Sequence, residues 1–240
     1  RLRFHARDVF LVMGSRDELM AMCPERFTKV TALRHAESEG NVTPRYQGAM
    51  PGTDLTERGR EQARAAGEWL GKDEGLGTKD RGHQQALRPL SSVLRPHVIY
   101  SSPLARAKQT ALRLASSLGS EARSGQAPSV VVDDRLRELS FGDYEGKTID
   151  FGDMALVSAR RAHKWKTGQP ESIYHFPGME TWEDVRKRIS AFFEEILPRH
   201  RGEHIAIVTH ADPLQNIRHF FTKEDPCKLS HQPYPGFAQT

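Results

Sequence analysis

Two short apolar runs in this chain each end on a histidine. Val30 to Leu33 runs into Arg34-His35, and His204-Ile205-Ala206-Ile207-Val208-Thr209 runs into His210. Short runs of this kind read as buried strands. In open α/β sheets ligands bind at the carboxyl ends of the strands, so a strand that stops on Arg-His presents a cation and an imidazole where a ligand would sit. A neutral imidazole is a competent nucleophile toward phosphorus, and a neighbouring guanidinium can grip two phosphate oxygens in a fork. One such strand end says little, since many strands stop on a histidine that does nothing. The rest of the chain decides.

A length of 240 residues suits one domain, or one domain with a lid, and suffices for a full core. Hydrophobic residues at 37% and charged ones at 28% are ordinary for a globular protein. No apolar run is long enough for a bilayer span, so no membrane partner is expected. Cys23 and Cys227 form no metal-ligand or disulfide pattern, which makes a reducing, cytoplasmic setting the default expectation. A net charge of +4 suits anionic ligands. The basic residues are scattered apart from Arg160-Arg161-Ala162-His163-Lys164-Trp165-Lys166, and no nucleic-acid-binding motif appears, so no nucleic-acid partner is expected.

The chain divides into an N-terminal extension over 1–27 and a single domain over 28–240. The extension carries Val9-Phe10-Leu11-Val12-Met13, which reads as a tag remnant, a targeting remnant or an extra helix. Leu55-Thr56-Glu57-Arg58-Gly59 opens a helix to about Leu70, capped by Thr56 or Asp54, with Ala63, Ala66, Trp69 and Leu70 on its apolar side and Gly71 stopping it. Residues 71–95 read as an exposed insertion with a short helix near Ala86 to Leu94. His97 to Ser102 is a buried strand. A helix follows to about Leu118, with Ser102 as N-cap, Pro103 at its first position, and Leu104, Ala107, Ala111, Leu114, Ala115 and Leu118 as its core stripe. Arg106 in the first turn opposes the helix dipole, which makes better sense if it is aimed at an anion above the strand ends.

Val130 to Val132 is a further strand. Behind it come three carboxylates, Glu138, Asp143 and Glu145, of which at least two should be plain surface acids. Residues 147–177 look like a lid. Thr181 to about Leu197 is a helix burying Trp182, Val185, Ile189, Phe192, Phe193 and Ile196, and a last helix starts at Ala211-Asp212-Pro213.

Five segments, in order, resemble the motifs of the histidine phosphatase superfamily, the phosphoglycerate mutase-like group. They are Leu33-Arg34-His35-Ala36-Glu37-Ser38-Glu39-Gly40-Asn41 with Arg45-Tyr46-Gln47-Gly48; Ser101-Ser102-Pro103-Leu104-Ala105-Arg106-Ala107; Leu136-Arg137-Glu138 with Phe141-Gly142-Asp143-Tyr144-Glu145-Gly146; Pro177-Gly178-Met179-Glu180-Thr181; and Val208-Thr209-His210-Ala211. The resemblance covers roughly residues 28 to 220. It implies a three-layer α/β/α sandwich around a mixed, mainly parallel sheet. It further implies His35 as nucleophile, Arg34, Arg106 and His210 as a phosphoryl clamp, and Glu138 as the acid that protonates the leaving oxygen and then activates water. Asn41, Arg45, Gln47 and Gly48 are the expected substrate-binding residues, and neither a metal nor another cofactor is expected. Ala36 and Ala211 depart from the family's glycines after the two histidines, which matters only if those positions need a positive φ.

Mutases of the group carry Glu-Arg-His-Tyr-Gly after the acid, whereas here Leu139-Ser140-Phe141-Gly142-Asp143-Tyr144-Glu145-Gly146 follows it. The expected activity is therefore hydrolysis of a small phosphorylated metabolite, of sugar-phosphate or phosphoglycerate type, through a phosphohistidine. The alternatives are a mutase primed by 2,3-bisphosphoglycerate and an inactive binding module of the same fold. Arg45, Arg160, Arg161 and Lys164 are candidates for a second phosphate or carboxylate. Oligomeric state has no sequence signature.

Overall fold

The computed structural model describes residues 10–11, 28–42, 45–71, 95–120, 126–148 and 177–223. Its strands are β1 (Phe10–Leu11), β2 (Lys29–Arg34), β3 (Val98–Ser101), β4 (Ser129–Val132) and β5 (His204–Thr209). They lie side by side in the order β1-β2-β5-β3-β4. β5 is the central strand and every one of its residues is buried. It runs parallel to β2, with Arg34 opposite Thr209, and parallel to β3, with Ser101 opposite Val208. β4 is parallel to β3, and β1 joins β2 antiparallel, so the sheet is mixed and mainly parallel.

Side chains alternate across the pleat, and each face has its own helices. On one face Val30, Ala32, Val98, Tyr100, Ile205 and Ile207 pack with residues of α3 (Trp182–Ile196) and α4 (Ala211–Thr222). On the other, Ile99, Ala206 and Val208 pack with α1 (Glu57–Gly71) and α2 (Ala105–Ser120). These are the three layers the resemblance implies.

Local chemistry sets the helix ends. Thr56 Oγ1 accepts from Gly59 N at 2.9 Å, so Thr56 is the cap of α1 and the helix begins at Glu57. Asp54 is occupied elsewhere, its carboxylate accepting from Gln109 Nε2. Thr181 and Asp184 exchange side-chain and backbone bonds in a capping box at the start of α3. All six residues expected on the buried stripe of α3 are buried.

Several expectations need correction. Trp69 is 44% exposed and lies off the buried side of α1. It is adjacent to Leu70 in sequence, and one helical step of 100° is enough to carry a side chain off a stripe of Ala63, Ala66 and Leu70. α2 begins at Ala105, two residues later than expected: Leu104 O accepts from Ala107 N and Lys108 N at 3.0 Å, and the free N–H of Ala105 donates to Pro51 O at 2.9 Å across the molecule. Phe10–Leu11 is strand rather than helix. The rest of the N-terminal extension, both cysteines, residues 72–94 of the insertion, residues 149–176 of the lid segment and its arginine-lysine cluster lie outside the described residues. Among the described residues no helix is long and apolar enough to cross a membrane.

Candidate active site

The carboxyl ends of β2, β3 and β5 bring together four of the five residues expected to do chemistry. His35 follows β2, His210 follows β5, Arg106 stands in the first turn of α2 beyond β3, and Glu138 enters from the segment after β4. All four are buried; Arg106 retains only 1% of its exposure. Arg34, the last residue of β2, is half-buried, and its charge acts on His35, Arg106 and Glu138.

His35 Nδ1 lies 2.8 Å from Ala36 O, an acceptor only, which fixes the proton on Nδ1 and leaves the lone pair on Nε2. Arg106 Nε donates toward that Nε2 at 3.3 Å. Burial, then the charges of Arg106 and Arg34, hold the His35 imidazole well below its ordinary pKa, so the ring is neutral. The His210 ring centroid is 5.0 Å from that of His35. His210 Nε2 is 2.7 Å from Ser102 Oγ, and burial with the nearby arginines keeps this ring neutral too.

Glu138 sits against the N-terminus of α4. Its carboxylate accepts from Leu139 N at 3.0 Å, Ala211 N at 3.1 Å and Asp212 N at 3.3 Å. Those bonds and the two arginines favour the anion. Burial and the charge of Asp212 outweigh them, and the carboxyl is pushed up to about 7. The pocket therefore pairs a neutral imidazole with a carboxylic acid that keeps its proton near neutrality.

Two buried donor-bearing atoms in this pocket, Arg106 Nη1 and His210 Nδ1, have no hydrogen-bond partner. Buried polar groups rarely go unsatisfied, and where they do, a functional reason is the first to consider. One guanidinium nitrogen and one imidazole nitrogen left without partners suit a tetrahedral oxyanion.

The expected substrate-binding residues are placed less uniformly. Gly48 O accepts from Arg106 Nη2 at 2.9 Å, so this residue aims the guanidinium. Its φ is +49°, and a Cβ there would stand 2.3 Å from Glu145 Oε1, so only glycine fits. Gln47 Oε1 is buried without a partner. Asn41 Oδ1 accepts from Ser38 N at 3.0 Å and Ser38 Oγ at 2.7 Å, closing the turn after His35. Arg45 is exposed and donates to Gly146 O at 3.2 Å. No contact joins Asn41 or Arg45 to the buried cluster among the described residues.

Of the three carboxylates, Asp143 is exposed, as expected of a surface acid. Glu145 is not one. It is half-buried, and its Oε1 accepts from Ala49 N at 2.8 Å and Phe141 N at 3.0 Å, clamping the loop that carries Gly48 to the loop behind Glu138. Ala36 and Ala211 cost the backbone nothing. Among the described residues Lys223 alone adopts a positive φ without being glycine.

Three supporting residues escaped the sequence reading. Ser102, expected only as a cap, also holds His210. Asp212, expected only to start a helix, faces Glu138. Arg188 donates from Nη1 to Arg135 O at 2.6 Å and Arg137 O at 2.7 Å, and from Nη2 to Glu138 O at 3.3 Å, while Glu180 pairs with its Nε at 2.9 Å. It thus fixes the backbone that delivers Glu138. The available signal was its spacing: Arg188 falls three residues after Val185, on the inner stripe of an otherwise apolar helix face.

The sequence profile of the histidine phosphatase superfamily (branch 1) matches residues 30–77 and 71–234, and the chain belongs to that superfamily. Within it, the chain is 29% identical over 187 residues to phosphoserine phosphatase 1 of Hydrogenobacter thermophilus, covering 78% of this chain and 72% of the relative. It is 29% identical over 203 residues to the metal-independent phosphoserine phosphatase of Arabidopsis thaliana, covering 79% and 67%. The solved structure of mycobacterial glucosyl-3-phosphoglycerate phosphatase superposes with a TM-score of 0.60 at 27% identity, covering 86% of this chain and 84% of that one.

Proposed function

We propose that this chain hydrolyses small phosphomonoesters through a phosphohistidine formed at His35. The observation that carries the reading is the pairing of His35, neutral with its Nε2 lone pair directed into the pocket, with Glu138, protonated near neutral pH. Phosphoryl transfer passes through an in-line, charge-rich transition state, so positioning and positive charge supply most of the catalysis. Arg34 and Arg106 provide the charge. Ser102 Oγ accepts from Leu104 N at 3.3 Å, so its own proton can go to His210 Nε2. The ring then donates from Nδ1 to a phosphoryl oxygen.

In the first half-reaction His35 Nε2 bonds to phosphorus as the ester P–O bond breaks. The leaving oxygen takes the proton of Glu138. In the second, the Glu138 carboxylate removes a proton from water, the new hydroxide oxygen bonds to phosphorus, and the P–N bond returns its electrons to His35. The net change is ester plus water to alcohol plus phosphate, and both groups return to their starting forms.

For substrates, the relatives act by name on phosphoserine and on glucosyl-3-phosphoglycerate, each a phosphate ester that also carries a carboxylate. Esters of that type are the first choice for this chain, and a cytoplasmic setting goes with such metabolites. The test is phosphate release from a panel of phosphomonoesters, including phosphoserine and 3-phosphoglycerate, in excess chelator, for wild type and His35→Ala. Release by wild type and its loss in the variant support the phosphohistidine route. Conversion of 3-phosphoglycerate that requires 2,3-bisphosphoglycerate would make the enzyme a mutase instead. Silence on every ester would make the pocket a binding module.

A further inference from the structure

The amino ends of the strands carry a second convergence of side chains, unrelated to the pocket. His97 precedes β3, and His200 and Glu203 precede β5. Glu203 Oε2 lies 2.9 Å from His97 Nε2 and 2.8 Å from His200 Nδ1, and the three ligand atoms all lie within 4.8 Å of one another. We propose that His97, His200 and Glu203 hold a single divalent transition-metal ion of zinc's class, with solvent completing the coordination. No such group was expected from the sequence, in which His97 and His200 are about a hundred positions apart.

The donor set selects the ion. Two imidazoles and one carboxylate suit zinc and its neighbours, while magnesium and calcium prefer all-oxygen ligands. Tetrahedral zinc with bonds of about 2.0–2.1 Å places its ligand atoms about 3.4 Å apart, so the observed contacts need to open by only about half an ångström.

Two further features favour a metal over a simple ion pair. His200 Nε2 is 2.7 Å from the hydroxyl of Tyr100, so the nitrogen facing away from the ion has the outer hydrogen bond that orients metal-binding histidines. The backbone is also held on all sides. His97 N donates to His204 O at 3.2 Å, Glu203 N to His200 O at 3.1 Å, Lys29 N to Glu203 O at 2.8 Å, and Thr28 Oγ1 to His200 O at 2.8 Å. His97 and Glu203 remain 42% and 36% exposed, which gives an ion a way in. The whole length of β5 separates the group from His210, so the ion would brace the sheet and take no part in phosphoryl transfer.

Zinc chloride titrated by calorimetry into the chelator-stripped full-length protein tests this. One ion per chain with a dissociation constant in the micromolar range or below is expected, together with a rise in melting temperature. His97→Ala and Glu203→Gln should each weaken binding at least tenfold, and Tyr100→Phe should weaken it less. Phosphate release should stay within about twofold of wild type in all three. No binding at 100 μM zinc overturns the proposal. So does binding that survives unchanged in His97→Ala, because the ion would then sit on the chain's other histidines.

Discussion

The two ends of the sheet carry the same three side-chain types, two histidines and a glutamate, in opposite surroundings. At the carboxyl end His35, His210 and Glu138 are buried beside Arg106 and the half-buried Arg34, among the described residues no hydrogen bond joins either ring to the carboxylate, and donors are left without partners. At the amino end both rings contact the same carboxylate oxygen of Glu203, His97 and Glu203 are partly exposed, and among the described residues no arginine pairs with that carboxylate. The difference teaches that residue type does not define chemistry here. Burial and the two guanidinium groups suit one set to an anion, with a neutral imidazole beside it. A carboxylate placed between the rings suits the other to a cation.

The sharpest way to break this comparison is to delete one histidine from each end. His35→Ala should lower kcat/KM by about 10⁴-fold or more, while His200→Ala should leave it within about twofold, read as steady-state phosphate release. A comparable loss in both would mean that the ends are not independent.

The next effect is on the acid. Glu138→Gln should cost about 10²–10³-fold on alkyl phosphates and less on an aryl phosphate, whose leaving group needs no proton. Glu203→Gln should show no such dependence on the leaving group.

A smaller effect is one of pH. In the proposed mechanism His35 acts unprotonated and Glu138 protonated, so kcat/KM should fall on the acid side as the ring gains its proton, below the ordinary histidine range. The rate should fall again as pH rises past about 7 and Glu138 loses its proton. The negative charge of Asp212 helps hold that proton, so Asp212→Asn should move the alkaline limb to lower pH and leave the acid limb in place. An unmoved alkaline limb would remove Asp212 from the account.

The smallest effect belongs to the amino end. Without metal, the contact between His97 and Glu203 is a half-exposed pair, and His97→Ala should shift the urea midpoint by an amount worth about 1 kcal/mol or less.

Much of the fold can be read from local pattern. The apolar run of β5 and the stripe of α3 are set by periodicity, and the structure keeps both. The site is legible for the same reason, because His35, Arg106 and His210 adjoin recognisable strand ends. What escapes the reading is decided at long range. Pro51 O takes up the free N–H of Ala105 at the start of α2, Glu145 is drawn into a loop clamp nearly a hundred residues away in sequence, and Arg188 reaches from one helix to the segment bearing Glu138. The amino-end group is the extreme case, since nothing near His97 in sequence announces Glu203.

The strand order has a consequence for how the chain is born. β5 lies in the middle of the sheet, yet among the described strands it is the last to be synthesised. Until His204–Thr209 has cleared the ribosome, β2 and β3 have no common neighbour, and at about 5–20 residues per second that delay lasts several seconds. A nascent chain in that interval holds two unfinished half-sheets with bare inner edges, the kind of surface that chaperones recognise and that aggregates when they are scarce. The same order keeps the nascent enzyme silent, because His210 emerges directly behind the strand that closes the sheet.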